Sequence, residues 1–282
     1  MNIILAKNAG FCWGVKRVVK LTEEKIAKSD SIIFTYGPLI HNQEVIHKLE
    51  EKGVCTLPTD ISDNHLDKLP ANSSIIIRAH GIPPDKHKKL TDAGLNVLDG
   101  TCPHVVKIQE NVEYAFSHGR IVLILGDKGH AEVTGLLGYC PGKGYVISIE
   151  EDIMKIPENK PVTVVAQSTL DKKTYDKLTK IIKIKWPECQ IIDTRCDATT
   201  RRQNEAIELC GKVDAMIIIG GKNSANTNRL AQICTNEGVP AFHIENANEL
   251  SNVNFNKIKT VGVTAGASTP DWIIESVIKK LA

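Results

Sequence analysis

Three cysteines occupy matched places along the chain. Cys102 and Cys196 lie 94 residues apart and close similar run-ups, LNVLDGTC and CQIIDTRC: an apolar strand-like run, then an Asp and a Thr. Cys12 ends a looser third copy, NIILAKNAGFC, 90 residues before Cys102. Three thiolates at one point call for a soft metal. Zinc would take a fourth protein ligand at a structural site or keep water at a catalytic one. An iron–sulfur cluster is usually held by four cysteines, so three would leave one iron open to an exogenous ligand. Pro103 follows Cys102, as it follows some cluster cysteines. Cys55, Cys140, Cys189, Cys210 and Cys234 lack matched partners and are assigned to packing. No Cys-x-x-Cys pair is present, so neither a zinc ribbon nor a thioredoxin motif is indicated.

A second set of polar residues recurs with the cysteines. GDKGHAEVTGL (126–136) and GGKNSANTNRL (220–230) align without a gap, setting His130 against Ser224 and Glu132 against Asn226. GPLIHNQEVI is a third copy, in which Gly37 to His41 repeats the Gly126 to His130 spacing. There Glu44 and Val45 fall one place later than Glu132 and Val133. Another turn closes each copy: IIIRAHGIPPD with His80, VTVVAQSTLD with Ser168, and VGVTAGASTPD with Ser268. The last two share Ser-Thr-x-Asp, ending in a helix start. Glycine-rich strand-to-helix turns expose backbone N–H groups to anions. His41, His80, His130, Ser168, Ser224, Asn226 and Ser268 add side-chain donors that suit phosphate oxygens. With no P-loop and no G-x-G-x-x-G, a nucleotide is not indicated. His47, His65, His87 and His118 fit helix or loop surfaces. Glu132 differs, being an acid whose counterpart is neutral. Excluded from water, it would hold a raised pKa and suit proton delivery.

The elements that must position these residues repeat as well. Helical stretches follow the cysteines: VKRVVKLTEEKIA, VVKIQENVEYAF and TTRRQNEAIELC. Each precedes a strand and a glycine turn: IIFTYG, IVLILG and AMIIIG. The expected fold is α/β: three related lobes with small parallel sheets around a pseudo-threefold axis, with a central metal-cluster site. The expected lobes span 14–101, 102–195 and 196–282. The third, which ends without a further strand, is closed by the N-terminal strand within 1–13. Ligands of open α/β sheets bind beyond the carboxyl ends of the strands, which is where the three turn types stand.

Composition narrows the class. The 282 residues are 42% hydrophobic and 24% charged, with 35 basic and 33 acidic side chains and a net charge of +2. That balance gives no electrostatic case for nucleic acid or an anionic membrane. No apolar run reaches the length of a membrane span, and MNIILAKNAG turns polar too soon for a signal peptide. A cytoplasmic monomer is expected, with its eight cysteines reduced.

Taken together, GFCWGVKR, HN at His41, AHG at His80, TCP, GHAEV, AQSTL, KNSANTNR and TAGASTPD resemble the 4-hydroxy-3-methylbut-2-enyl diphosphate reductases, the LytB/IspH family. The likeness runs from Gly10 to Asp271 in the family's order. It implies a three-lobed protein with an oxygen-sensitive 4Fe–4S cluster on Cys12, Cys102 and Cys196. It also implies reductive removal of an allylic hydroxyl, the last step of the non-mevalonate isoprenoid pathway, yielding isopentenyl and dimethylallyl diphosphates. The substrate's hydroxyl would bind the cysteine-free iron. Electrons would come from an external one-electron donor such as ferredoxin or flavodoxin. By this resemblance His41, His80, Ser224, Asn226 and Ser268 hold the diphosphate and His130 contacts it. Glu132 supplies the proton, working with the Ser168 hydroxyl. Two positions depart from the family pattern: Ser168 stands where Thr is common, and Ala225 where a second serine is common. Two other readings share the same residues, a zinc hydrolase of phosphorylated substrates and a non-catalytic oxygen-sensing module.

Overall fold

Unbroken apolar runs such as IVLIL and AMIII are the signature of parallel strands covered on both faces. A computed structural model of the chain describes residues 1–28, 31–66, 68–70, 72–158 and 160–282. In chain order, the first stretch holds β1 (Asn2–Leu5), α1 (Trp13–Lys28), β2 (Ile33–Tyr36), α2 (Gln43–Glu50), β3 (Val54–Leu57), α3 (Asp63–Leu66), β4 (Ser74–Ile77), α4 (Pro84–Asp92) and β5 (Asn96–Asp99). Next come α5 (Pro103–Ser117), β6 (Ile121–Leu125), α6 (Ala131–Leu137), β7 (Gly144–Ile147), α7 (Glu150–Ile153), β8 (Val162–Ala166), α8 (Lys172–Lys185) and β9 (Gln190–Ile191). The last stretch holds α9 (Asp197–Cys210), β10 (Ala215–Ile219), α10 (Ala225–Asn236), β11 (Ala241–Ile244), a 3₁₀ turn (Ala247–Asn252), β12 (Thr260–Ala265) and α11 (Asp271–Leu281).

Among the described residues the strands form three four-stranded sheets, ordered β3-β2-β4-β5, β7-β6-β8-β9 and β11-β10-β12-β1. Every pairing is parallel. The order is the same three times, and β1 takes in the last sheet the place that β5 and β9 take in the others. The repeat reaches single hydrogen bonds. Gly37, Gly126 and Gly220 each donate a backbone N–H to the last residue of the neighbouring strand, Leu57, Ile147 and Ile244, at 2.9, 3.1 and 2.9 Å.

By compactness the chain divides into two units. One comprises Met1–Lys16, Ile40–Lys48 and Cys196–Ala282, and the other Arg17–Leu39 and Leu49–Arg195. In the second unit, alternation along β6 sends Ile121, Leu123 and Leu125 to one face, against Leu178, Ile182 and Trp186 from α8 and its end. Val122 and Ile124 face the other way, against Ile108 and Val112 of α5 and Val133 and Leu136 of α6. Each such side chain, fully buried, contributes about 1.5–3 kcal/mol. The first unit does the same with β10. Ile217 and Ile219 pack toward Ile273 and Val277 of α11, while Met216 and Ile218 pack toward Leu209 of α9 and Leu230 of α10.

The unmatched cysteines divide. Cys140, Cys210 and Cys234 are buried, and burial pushes the Cys140 thiol up to about 12. Cys189 is half-buried against the β6–β8 core. Cys55 is exposed, so packing is not its role: it lies on the edge strand β3, where alternation turns it outward. Among the described residues no helix is long and apolar enough to cross a membrane.

Candidate functional site

All three matched cysteines precede the first residue of a helix: α1, α5 and α9. The Cys12 carbonyl accepts the Lys16 N–H at 2.9 Å, that of Cys102 the Val106 N–H at 3.0 Å, and that of Cys196 the N–H groups of Thr199 and Thr200 at 2.9 Å. The local sequence explains the position in two copies. Asp99 and Asp193 end their strand runs by accepting the N–H two residues on, from Thr101 at 2.8 Å and Arg195 at 3.1 Å. This Asx turn releases the chain from the sheet just before the cysteine. Pro103 then starts α5 at a position whose N–H would be unpaired anyway. The thiols are half-buried and form no disulfide among the described residues. The Cys12 sulfur accepts the Val15 N–H at 3.5 Å. A helix N-terminus carries positive partial charge, which favours a thiolate or an anionic group there. Two of the cysteines are tied to the neighbouring polar turn: Cys12 N–H donates to Ala267 O at 3.1 Å, and Cys102 N–H to Ala79 O at 3.0 Å. Those carbonyls immediately precede Ser268 and His80.

In the unit containing Arg17–Leu39 and Leu49–Arg195, His80, Cys102, His130, Glu132 and Ser168 follow the ends of four strands, β4, β5, β6 and β8. His130 caps α6, its Nδ1 accepting the Glu132 N–H at 3.2 Å, so a neutral ring carries its proton on Nε2. The His80 ring stands edge-on to it, with centroids 5.4 Å apart. Glu132 is 1% exposed. Its carboxylate accepts both the backbone N–H and the Oγ–H of Ser168, each at 2.6 Å. Burial raises its pKa, against the Ser168 hydrogen bonds and the nearby His104, which lower it, while Asp127 adds to the rise. Gln167, fully buried, fastens the two turns by accepting the Asp127 N–H and donating to Thr169 Oγ1, both at 2.8 Å. Gly81, at φ +70°, lies in the left-handed region that favours glycine.

The other unit places Cys12, His41, Cys196, Ser224, Asn226 and Ser268. Ser224 caps α10 by accepting the Thr227 N–H at 3.3 Å. Ser268 Oγ donates to the His41 carbonyl at 3.2 Å. A Cβ on Gly221 would sit 2.3 Å from that same carbonyl, so only glycine permits the approach. Asn226 is 4% exposed, and neither its amide oxygen nor its nitrogen has a hydrogen-bond partner among the described residues. Leaving such an amide unpaired costs about 1–3 kcal/mol per group. The one-residue offset of the first copy has a cause in Asn42. It, not His41, caps α2, its Oδ1 accepting the Val45 N–H at 3.2 Å. Asn42 and Gln167 were missed as parts of this machinery, although Asn before QE is a legible helix start.

The family model described as LytB protein matches residues 3–282. A curated relative from Clostridioides difficile (strain 630), named 4-hydroxy-3-methylbut-2-enyl diphosphate reductase, is 41% identical over 99% of this chain and 98% of its own length. One of the same name from Aquifex aeolicus (strain VF5) is 42% identical over 100% of this chain and 96% of its own. Among solved structures, the E-1-hydroxy-2-methyl-but-2-enyl-4-diphosphate reductase from Plasmodium falciparum superposes with a TM-score of 0.92 at 27% identity, covering 99% of this chain and 87% of that one. A structure described as (E)-4-hydroxy-3-methyl-but-2-enyl diphosphate reductase, the terminal enzyme of the non-mevalonate pathway, gives 0.72 at 41% identity, covering 100% and 99%.

Proposed function

This chain belongs to the LytB family, and from that membership we propose that it is an oxidoreductase acting on 4-hydroxy-3-methylbut-2-enyl diphosphate. The allylic hydroxyl leaves as water at the cost of two electrons and two protons, giving isopentenyl and dimethylallyl diphosphates. Cys12, Cys102 and Cys196 would hold a 4Fe–4S cluster. The donor set fits such a group: three half-buried soft ligands outside any disulfide among the described residues, each at the positive end of a helix. When bound, such a cluster would supply one-electron chemistry, fed by an external donor such as ferredoxin or flavodoxin, and a Lewis-acidic iron.

The remaining work falls to side chains. His41, His80, Ser224, Asn226 and Ser268 bind the diphosphate, with His130 beside it. The orphaned amide of Asn226 supports this role, since a phosphate oxygen would accept from its nitrogen. Remote binding energy from the diphosphate then orients the hydroxyl for departure. Glu132 holds a proton at its carboxyl and delivers it to the hydroxyl oxygen, so that water rather than hydroxide departs. Ser168 keeps that carboxyl in one orientation through two hydrogen bonds. Its serine hydroxyl does this without the methyl that would fix a threonine rotamer. We place the enzyme in the cytoplasm as a monomer of three lobes, 14–101, 102–195, and 196–282 with 1–13.

The observation that carries the catalytic reading is the buried Glu132, with its raised pKa and its clasp by Ser168. Replacing it tests the reading. Glu132→Gln should keep cluster content and substrate affinity while turnover falls at least ~10²-fold, the typical worth of a general acid. Turnover at the wild-type rate would move the acid elsewhere.

A further inference from the structure

Each cysteine-capped helix carries a basic side chain that grips backbone carbonyls just upstream of a different cysteine. On α9, capped by Cys196, the Arg202 guanidinium donates from Nε to Asn8 O and from Nη2 to Gly10 O, both at 2.9 Å. Those carbonyls lead into Cys12. On α1, capped by Cys12, Arg17 Nη1 donates to Gly100 O and Thr101 O, both at 3.2 Å, and these lead into Cys102. On α5, capped by Cys102, the His104 Nε2–H donates to Thr194 O at 2.8 Å, two residues before Cys196. Carbonyl oxygens only accept, so the proton of that bond sits on His104.

Arg202 is the costly member. It is 3% exposed, whereas the positions six residues beyond the other two cysteines are the buried aliphatics Val18 and Ile108. A helix needs no charge there, and a buried cation is expensive unless something compensates it. The third guanidinium nitrogen, Nη1, donates to Ala198 O at 3.4 Å. Burial therefore weakens the hold on its proton, while Cys12, Cys196 and Glu205 strengthen it. Glu205 is itself engaged, accepting the N–H groups of Lys7 and Asn8 at 2.6 and 2.8 Å, which ties the same loop to α9 a second time. Gly10, at φ +98°, is held in a backbone shape that presents its carbonyl to Arg202.

We infer that Arg202, Arg17 and His104 are positioning residues, one for each cysteine-bearing loop, and that Arg202 also supplies fixed positive charge beside the thiolates of Cys12 and Cys196. The charge role rests on the iron–sulfur reading above; the positioning role does not. With positive charge fixed beside it, a group that gains an electron is favoured in its reduced form.

Amide hydrogen exchange on the unloaded chain tests the positioning. Arg202→Met should speed exchange at least tenfold in Lys7–Cys12 and leave Asp99–Cys102 as it was; Arg17→Met should do the reverse. His104→Ala should loosen Asp193–Cys196, and His104→Gln, whose amide can still donate, should restore it. Unchanged loops, or loosening spread evenly through the chain, would overturn the positioning roles. Potentiometric titration of the anaerobically loaded protein with dithionite tests the charge. Arg202→Met should lower the reduced-to-oxidised ratio at fixed potential about tenfold, ~59 mV for one electron. Arg202→Lys, which keeps the charge and the fold but not the two-carbonyl fork, should hold the wild-type potential while loosening Lys7–Cys12. A wild-type potential in Arg202→Met would overturn the charge role. A wild-type chain that assembles no iron–sulfur group would end the cofactor reading and the charge role with it, leaving exchange to judge the three clamps.

Discussion

A carboxyl group that is 1% exposed titrates on terms set by its neighbours. Burial raises the Glu132 pKa in the folded chain, and the Ser168 and His104 interactions only partly oppose it. Between the ordinary carboxylate value and the raised one, the folded chain binds more protons than the unfolded chain. Stability from this group is therefore whole below the ordinary value and is lost as pH rises through the raised one. Glu132→Gln removes that titration. Its melting temperature should fall less than that of the wild type between acid and neutral pH, as read by calorimetry on the unloaded chain. Parallel declines would mean that Glu132 ionises freely. The burial of Glu132 and the helix-start places of the three cysteines were legible because an acid facing a neutral counterpart, and a cysteine recurring at a fixed step, break or keep a pattern. Arg17, His104 and Arg202 left no such trace. The loop carbonyls that they grip are 82 to 194 residues distant, and every residue type has a carbonyl.

Helix starts do most of the positioning, and they separate structural from functional use of the same chemistry. Asp171 caps α8 by accepting the Thr174 N–H at 2.8 Å, and Ser224 caps α10 in the same way. Alanine at either should cost about 1 kcal/mol and lower the melting temperature by ~2–4 °C. Only Ser224→Ala should also raise KM, because of these two caps only Ser224 is assigned to the diphosphate. Steady-state kinetics on both variants checks this, and an unchanged KM in Ser224→Ala would leave it a cap and nothing more. The repeat was legible at this scale down to helix order. It misled where one residue changes the cap. Asn42 takes over from His41 in the first copy. In the third, Pro270 holds the cap position before Asp271, so the shared Ser-Thr-x-Asp does not give a second side-chain cap.

Across the molecule, three sheets of one strand order present the same turn three times with different polar side chains. A repeated scaffold places residues alike, and an asymmetric substrate requires them to differ. That β1 completes the sheet of β10–β12 could be expected from the sequence, since the last copy lacks its closing strand. The division into two compact units could not. One of them gathers 40–48 with 196–282, through contacts such as Ser268 to His41 that cross 227 residues. Whether the three cysteines do what their matched places suggest is a question of metal content. Iron and acid-labile sulfide should be determined, with a visible spectrum, on anaerobically purified protein. A brown protein with about four of each per chain is the expected result for a cluster on Cys12, Cys102 and Cys196. A colourless protein with zinc and no sulfide would contradict it.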